Sequence, residues 1–204
     1  MLRNFGELAS DKEITNAKNA LEKNGMEVFV AENAEKAKEK VLELIPPGAE
    51  VMTMTSETLR LTGIADGINE SGRYNSVRKK FESMGGEKQI SERKKLGAGP
   101  DWAVGSVHAI TEDGKVVIAS NTGSQLPAYA YGAQHVIWVV GSQKIVKDFD
   151  EALKRVYEYV LPLEDARARK AYGEGSNVSK MLVINKEVQK GRLIMIIVKE
   201  KLGF

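Results

Sequence analysis

The segment IASNTGSQLPAYAYGAQHVIWVVG, residues 118–141, contains a polar, glycine-containing stretch between two apolar runs. The runs at 116–120 and 135–140 are short and rich in β-branched residues, which predicts two strands. In α/β proteins, ligands usually bind at the ends of strands. The segment therefore predicts an α/β fold with a candidate binding loop at residues 120–125.

The residues that precede this segment alternate between helix and strand patterns. Ser10 and Glu13 form a capping box, which predicts the start of a helix, and Asn33 is suited to cap a second helix after a short strand at 26–31. We therefore expect an N-terminal helical segment over about residues 1–48. The chain then changes from a strand pattern to a helix pattern again, as it does in parallel α/β sheets.

The second half of the chain adds patterns typical of antiparallel strands. The pair Asp113–Gly114 is a strong turn signal between two β-rich runs and predicts a hairpin or two adjacent strands. A helix is predicted from Asp148 onward, Pro162 interrupts it and another helix begins there, and two β-rich runs follow. We predict a single α/β domain over residues 1–204, with a Rossmann-like, mostly parallel sheet, helices on both faces and some antiparallel strands.

Composition limits the kinds of partner that the chain is expected to bind. Thirty basic and 28 acidic residues give a formal charge of +2, without a long run of one sign, which argues against a nucleic-acid or anionic-membrane surface. The absence of cysteine excludes disulfides and cysteine-ligated clusters, and with only two histidines we predict no metal site. No apolar run is long enough for a membrane span, so we expect a soluble, cytoplasmic protein. A homo-oligomer is left open.

The polar loop combines groups that can hold an anion. Glycine permits close backbone approach, while amide and hydroxyl side chains offer donors and acceptors. If Pro127 opens a helix, the loop also lies beside the positive end of that helix. An ordinary polar turn between a strand and a helix explains the same residues equally well. The candidate ligand-binding residues of this loop are Asn121, Thr122, Gly123, Ser124 and Gln125.

A second polar cluster follows the strand pattern that ends near residue 55. Thr55 and Ser56 are candidate ligand-binding residues, and Glu57 is a candidate catalytic residue, as a base or a carboxylate nucleophile. The same residues also suit a helix start, where a hydroxyl caps the first turn and a carboxylate interacts with the helix dipole. Lys144 is a further candidate for binding an anionic ligand, or else a lysine exposed only for solubility.

Other chemically suggestive residues are better explained by structural roles. His108 and His135 lack the spacing of a catalytic triad or of a zinc helix. We expect Tyr129 and Tyr131 to pack in the core or at a pocket rim. Gly97-Ala98-Gly99 lacks the third glycine of a dinucleotide-binding motif, so that kind of nucleotide site is disfavoured.

Longer stretches give the chain a family resemblance. The stretch DWAVGSVHAITEDGKVVIASNTGSQLPAYAYGAQHVIWVVGSQKIVKDFDEALKRV, together with VMTMTSETL and GRLIMIIVKEKLGF, resembles the lactate utilization (LUD) domain family over nearly the whole chain. The resemblance implies a fold similar to that of glucosamine-6-phosphate deaminase, ribose-5-phosphate isomerase, CoA transferases and 5-formyltetrahydrofolate cyclo-ligase. It also implies a role in the oxidation of L-lactate to pyruvate, beside iron–sulfur proteins.

Two departures from the family pattern bear on function. Many LUD proteins carry Glu-Thr-Gly-Thr where this chain has Asn121-Thr122-Gly123-Ser124, so an amide replaces a carboxylate, which argues against an acid–base role for the loop. Longer family members carry a cysteine-rich, ferredoxin-like extension. A chain without cysteine cannot bind such a cluster, so electron transfer would belong to a partner. The sequence identifies no cofactor.

Three functions remain open on the sequence alone. The leading hypothesis is a LUD-family protein that binds a small anionic metabolite in lactate or related 2-hydroxy-acid metabolism. The second is an isomerase or CoA-transferase-like enzyme that acts on a sugar phosphate or an acyl-CoA, with Glu57 as base or nucleophile. The third is a non-catalytic subunit of a lactate-oxidising complex with iron–sulfur oxidoreductase partners. The fold alone does not choose among them.

Overall fold

The computed structural model describes residues 4–85 and 87–204, which form strands and helices packed in layers. The strands are, in chain order, β1 (Glu27–Ala31), β2 (Glu50–Thr53), β3 (Asn75–Ser76), β4 (Trp102–Gly105), β5 (Ala109–Thr111), β6 (Val116–Ser120), β7 (His135–Gly141), β8 (Ile145–Val146), β9 (Lys180–Ile184) and β10 (Leu193–Val198). The α-helices are α1 (Asp11–Lys23), α2 (Ala34–Leu44), α3 (Glu57–Leu61), α4 (Ile64–Asn69), α5 (Val77–Glu82), α6 (Glu87–Ala98), α7 (Phe149–Lys154) and α8 (Leu161–Tyr172).

A parallel sheet is the centre of the fold, with the strand order β1–β10–β7–β4–β2–β3. The last strand of the chain, β10, lies between β1 and β7, and pairs Leu193 with Val136 and Val198 with Gly141. Strands buried on both faces are expected to be almost continuously apolar. The burial of every residue of β10 and of β7 from Val136 onward agrees with that expectation.

Alternate residues of the central strands pack against different layers. Ile137 and Val139 of β7 face a core formed with α2, α3 and α4, whereas Trp138 and Val140 face a core that includes α1. This alternation follows from the two-residue period of a strand. The predicted Rossmann-like sheet, with helices on both faces, is therefore confirmed.

The antiparallel strands belong to a second sheet, with the strand order β8–β5–β6–β9. The predicted hairpin is confirmed, because β5 pairs antiparallel with β6 and Gly114 adopts a φ of 85° in the turn between them. Ile110 and Ile118 of this sheet share a core with Trp138, while Val117 faces α7 on the other side. The second sheet thus packs between the parallel sheet and α7.

The second helix predicted at Pro162 is present as α8, but the predicted break before it is absent, because the chain stays helical from α7 through α8. A π-helical segment, Arg155–Val160, joins the two helices, and the N–H of Leu161 bonds to the carbonyl of Val156. Proline in an α-helix clashes with the preceding turn and lacks one donor. The wider π turn immediately before Pro162 accommodates it without ending the helix.

The predicted helix starts are confirmed where their side chains cap the first turn. Ser10 and Glu13 form the capping box of α1, Asn33 accepts from the N–H of Lys36 at α2, and Ser56 caps α3. The segment at about 1–48 is not wholly helical, since β1 lies between the two helices and pairs with β10.

Candidate functional site

A cavity of about 1060 Å³ opens where neighbouring parallel strands end. Thr55 follows β2, Ser106 follows β4 and Lys144 lies at the end of a short 3-10 turn after β7, and all three line the cavity. Because β2, β4 and β7 are neighbours in the sheet, their carboxyl ends meet at one edge. This is the position where open α/β sheets bind ligands.

The cavity also brings together the residues that the sequence singled out, although they come from three separate segments. The loop after β6 forms part of its wall, opposite the strand ends of the parallel sheet. Ligand binding by these residues remains a prediction. The sequence-predicted residues that line the cavity are Thr55, Ser56, Glu57, Asn121, Thr122, Gly123, Ser124, Gln125 and Lys144.

The polar loop after β6 is held by hydrogen bonds among its own residues. The hydroxyl of Ser120 accepts from the N–H of Gly123 at 2.8 Å and donates to Oε1 of Gln125 at 2.9 Å, while Nε2 of Gln125 donates to the carbonyl of Ala119. Oδ1 of Asn121 accepts from the hydroxyl of Ser179 at 3.1 Å. Gly123 has a φ of 85°, a conformation that favours glycine. The loop is thus a preformed turn.

The expected helix after this loop is much shorter than predicted. Pro127 precedes a five-residue π-helical turn, Ala128–Gly132, rather than a regular α-helix. A macrodipole requires several aligned turns of peptide groups, which this segment lacks. The prediction that a positive helix end supports the loop is therefore wrong.

Glu57 lies in the cavity wall but is already engaged by a neighbour. Its carboxylate accepts from Nε of Arg60 at 2.9 Å and from Nη2 at 2.8 Å, across one turn of α3. The N-cap alternative proposed for this cluster is present, because Ser56 accepts from the N–H of Leu59. A catalytic role for Glu57 remains untested.

Lys144 is buried rather than exposed. Only 3% of its surface is accessible, and Nζ lies 3.1 Å from Ser106 Oγ, 3.1 Å from the carbonyl of Val107 and 3.3 Å from Thr58 Oγ1. Burial, with a further contribution from the nearby charge of Arg155, holds the pKa of this amine well below 10.5. The solubility alternative for Lys144 is therefore wrong.

His108 also borders the cavity, and a hydrogen bond to its ring selects one tautomer. Its Nδ1 accepts a hydrogen bond from the backbone N–H of Ala119 at 3.0 Å. Burial, followed by the charges of Lys144 and Arg155, lowers the pKa of His108 to about 3. A neutral imidazole whose Nδ1 accepts carries its proton on Nε2. His108 thus offers an N–H donor, and no residue in the described part of the chain accepts from Nε2.

The sequence did not single out four basic residues that line the same cavity, namely Arg78, Arg93, Lys94 and Arg167. Nε of Arg78 donates to the carbonyl of Thr53 at 2.8 Å, and Nη2 donates to Thr55 Oγ1 at 2.7 Å. Arg167 pairs with Glu164 through two hydrogen bonds. These residues come from segments without a recognisable motif, so no local signal distinguished them from surface charges.

The described part of the chain holds neither a metal-binding cluster nor a membrane-spanning helix. Across residues 4–85 and 87–204, no group of three or more His, Asp or Glu side chains is arranged to hold a metal ion. In the same part of the chain, no helix combines the length and apolar character needed to cross a membrane.

Known proteins resemble this chain in sequence pattern and in fold. The family model described as LUD domain matches residues 14–198. Comparison with curated proteins gives no match. The crystal structure of a DUF162 family protein from Deinococcus radiodurans is similar at a TM-score of 0.55 and 13% sequence identity, over 94% of this chain and 99% of that chain. At this level of identity the structural match bears on the fold alone.

Proposed function

Because this chain belongs to the LUD domain family, we propose that it binds an anionic metabolite in the cavity, in lactate or related 2-hydroxy-acid utilization. The family name supplies the link to lactate. The main observation in support of an anionic ligand is the position of Arg78 in the cavity wall.

Arg78 is a cation fixed at the carboxyl end of the sheet. It is half-buried, and its two hydrogen bonds to Thr53 and Thr55 hold the guanidinium in place. Burial lowers the pKa of Arg78 from 12.5, but arginine remains protonated at neutral pH. Among the described side chains, no carboxylate forms an ion pair with it. A carboxylate or phosphate group would supply that partner.

The polar loop would complete the anion site. Hydroxyl groups of Thr122 and Ser124 and the amide of Asn121 line the cavity and can donate to a carboxylate or phosphate. Thr55, Ser56 and Gln125 line it as well. A base role for Glu57 requires that its ion pair with Arg60 opens when a ligand binds.

The size of the cavity bears on the ligand. Drug-sized ligands occupy pockets of about 300–1000 Å³, and the cavity reaches about 1060 Å³. A three-carbon acid such as lactate would fill a small part of this space. The ligand of this proposal is therefore a larger anionic metabolite, or a small acid bound beside a second molecule.

A thermal-shift screen tests the proposal. The probes are lactate, pyruvate, sugar phosphates, acyl-CoAs and folates, each titrated against the purified chain. A ligand that binds only the folded state raises the midpoint of unfolding as its concentration increases. Calorimetry on the best compound then gives its dissociation constant for wild type and variants.

Two variants with matched controls locate the binding site. Arg78→Met removes a charge-assisted hydrogen bond worth about 1.5–3 kcal/mol, so affinity should fall by about 10- to 100-fold. Arg73→Met, at an exposed arginine outside the cavity, is its control. Asn121→Ala is paired with Asn19→Ala on the exposed face of α1. Absence of a shift with every compound, or equal affinity for wild type and Arg78→Met, would overturn the proposal.

A further inference from the structure

Ser106 and Lys144 form a contact in the cavity wall that anion binding does not require. Neighbouring strands β4 and β7 bring these two side chains together from positions 38 residues apart. Lys144 Nζ lies 3.1 Å from Ser106 Oγ. Ser106 is half-buried and lines the cavity, so its hydroxyl is accessible to a ligand while the amine behind it is buried.

The neighbours of Nζ assign each hydrogen bond of a neutral Lys144 amine, which has two donors and one lone pair. The carbonyl of Val107 can only accept. Thr58 Oγ1 gives its own proton to the carbonyl of Leu202 at 3.1 Å, so it accepts from Lys144. The lone pair of Nζ is then left for the hydroxyl proton of Ser106.

The surroundings of Lys144 favour the neutral amine that this pattern needs. Its three hydrogen-bond partners are uncharged oxygens, and in the described part of the chain no carboxylate pairs with it. Arg155, whose Nη1 donates to the carbonyl of His108, adds a second buried positive charge nearby. Burial and this charge lower the pKa of Lys144, and a neutral amine beside a hydroxyl can act as its base.

From this geometry we infer that Ser106 and Lys144 form a nucleophile–base pair that transfers an acyl group from an ester or thioester bound in the cavity. Ser106 gives its proton to Lys144 Nζ while Oγ attacks the acyl carbonyl carbon. The bond from that carbon to the leaving alcohol or thiol breaks, and the leaving group takes the proton from Lys144. Water then gives a proton to Lys144 and attacks the acyl-serine, and the proton returns to Ser106 as the acid leaves. No oxidant or reductant is needed.

His108 supplies a donor for the charge that develops on the acyl oxygen. Its Nδ1 is occupied by the N–H of Ala119, so the Nε2–H of the neutral ring is the group available to a ligand in the cavity. Donors directed at such an oxyanion commonly account for a large share of acyl-transfer catalysis. His108 is therefore expected to stabilise the tetrahedral intermediate and not to act as a base.

Labelling with a fluorophosphonate probe tests the inference, which rests on the proposed function only in placing the substrate in the same cavity. The probe forms a stable bond with an activated serine, and peptide mass spectrometry identifies the modified residue. We expect the label on Ser106 and none in Ser106→Ala. Ser83→Ala, at an exposed serine outside the cavity, is the control and should label as wild type does.

The role of Lys144 is tested by rate and by pH. General-base catalysis is worth about 10²- to 10⁴-fold, so Lys144→Met should slow labelling by at least about 10²-fold. Lys147→Met, three residues along and exposed, should label at the wild-type rate. In wild type, the labelling rate should rise with pH around a midpoint well below 10.5, because the base must be neutral.

The outcomes separate this inference from the proposed function. An unlabelled Ser106 in folded wild type, equal labelling of Lys144→Met, or a midpoint near 10.5 would overturn the dyad. An anion-dependent thermal shift without labelling would leave the proposed function standing and remove the dyad. Labelling of Ser106 without any anion-dependent thermal shift would support the dyad and overturn the proposed function.

Discussion

Replacing His108 with asparagine should make the fold less sensitive to acid. The half-buried imidazole has a pKa of about 3, against 6.5 for an ordinary histidine. Between these values the unfolded chain binds a proton that the folded chain does not, so acid favours unfolding. The stability is present above about pH 6.5 and is lost as the pH falls toward 3. Asparagine does not titrate, and its Oδ1 can replace Nδ1 as the acceptor for the N–H of Ala119.

The size of the effect follows from the two pKa values. Each tenfold change in the protonation equilibrium corresponds to about 1.4 kcal/mol, so the full effect below pH 3 is about 5 kcal/mol. Between about pH 7 and about pH 4, His108 should account for about 3 kcal/mol of lost stability. Typical domains are stable by about 5–15 kcal/mol, so this loss is a large part of the total stability.

Urea unfolding of wild type and His108→Asn at the two pH values measures the effect. With a slope of about 3 kcal/mol per molar urea, the wild-type midpoint should fall by about 1 M more than that of the variant. Carboxylates such as Asp113 and Glu187, whose pKa values are lowered in the fold, titrate in both proteins and cancel in the comparison. Equal losses in the two proteins, or an NMR titration of His108 near pH 6.5, would refute the reasoning.

Two further predictions concern the same part of the cavity. Wild-type stability should rise with pH below 10.5, because the unfolded chain keeps a proton on Lys144 that the buried amine of the folded chain releases at lower pH, and Lys144→Met should remove that rise. Urea unfolding as a function of pH, with Lys147→Met as the control, checks this. Gly105→Ala should destabilise the protein by about 1–3 kcal/mol and abolish fluorophosphonate labelling, because its Cβ would overlap Tyr129 Oη. Gly85→Ala, where a Cβ meets nothing within 4 Å, is its control.

Local sequence patterns correctly predicted the elements whose formation depends on residues close together in the chain. Ser10 with Glu13, and Ser56 before α3, were correct because a cap is satisfied within one turn of its own helix. The strand at Val116–Ser120 was correct because its apolar run and flanking turn are contiguous in the sequence. The predicted break at Pro162 was wrong because the accommodation of a proline by a π turn depends on how the whole helix packs, and no local pattern shows that packing.

Local sequence patterns did not predict contacts between segments that are far apart in the chain. Placing Lys144 beside Ser106 requires knowing that β4 and β7 are neighbours, and the strand order, with β10 next to β7, is a property of the complete sheet. A lysine after a strand also gives no sign of burial, since the residues that cover it, Thr58 and Val107, come from other elements. Arg78 was missed for the same reason, since its partners lie on β2 and just after it.

The protonation state of Lys144 depends on a residue that sits on another layer of the fold. Arg155 belongs to the π-helical segment before Pro162, and the Nη1 hydrogen bond to the carbonyl of His108 anchors its guanidinium. A guanidinium remains charged even when buried, whereas an amine can lose its proton. Burial is the main cause that lowers the pKa of Lys144, and repulsion from the nearby guanidinium of Arg155 lowers it further. In this way the π segment that accommodates Pro162 also contributes to the lowered pKa of Lys144 that the proposed pair with Ser106 requires.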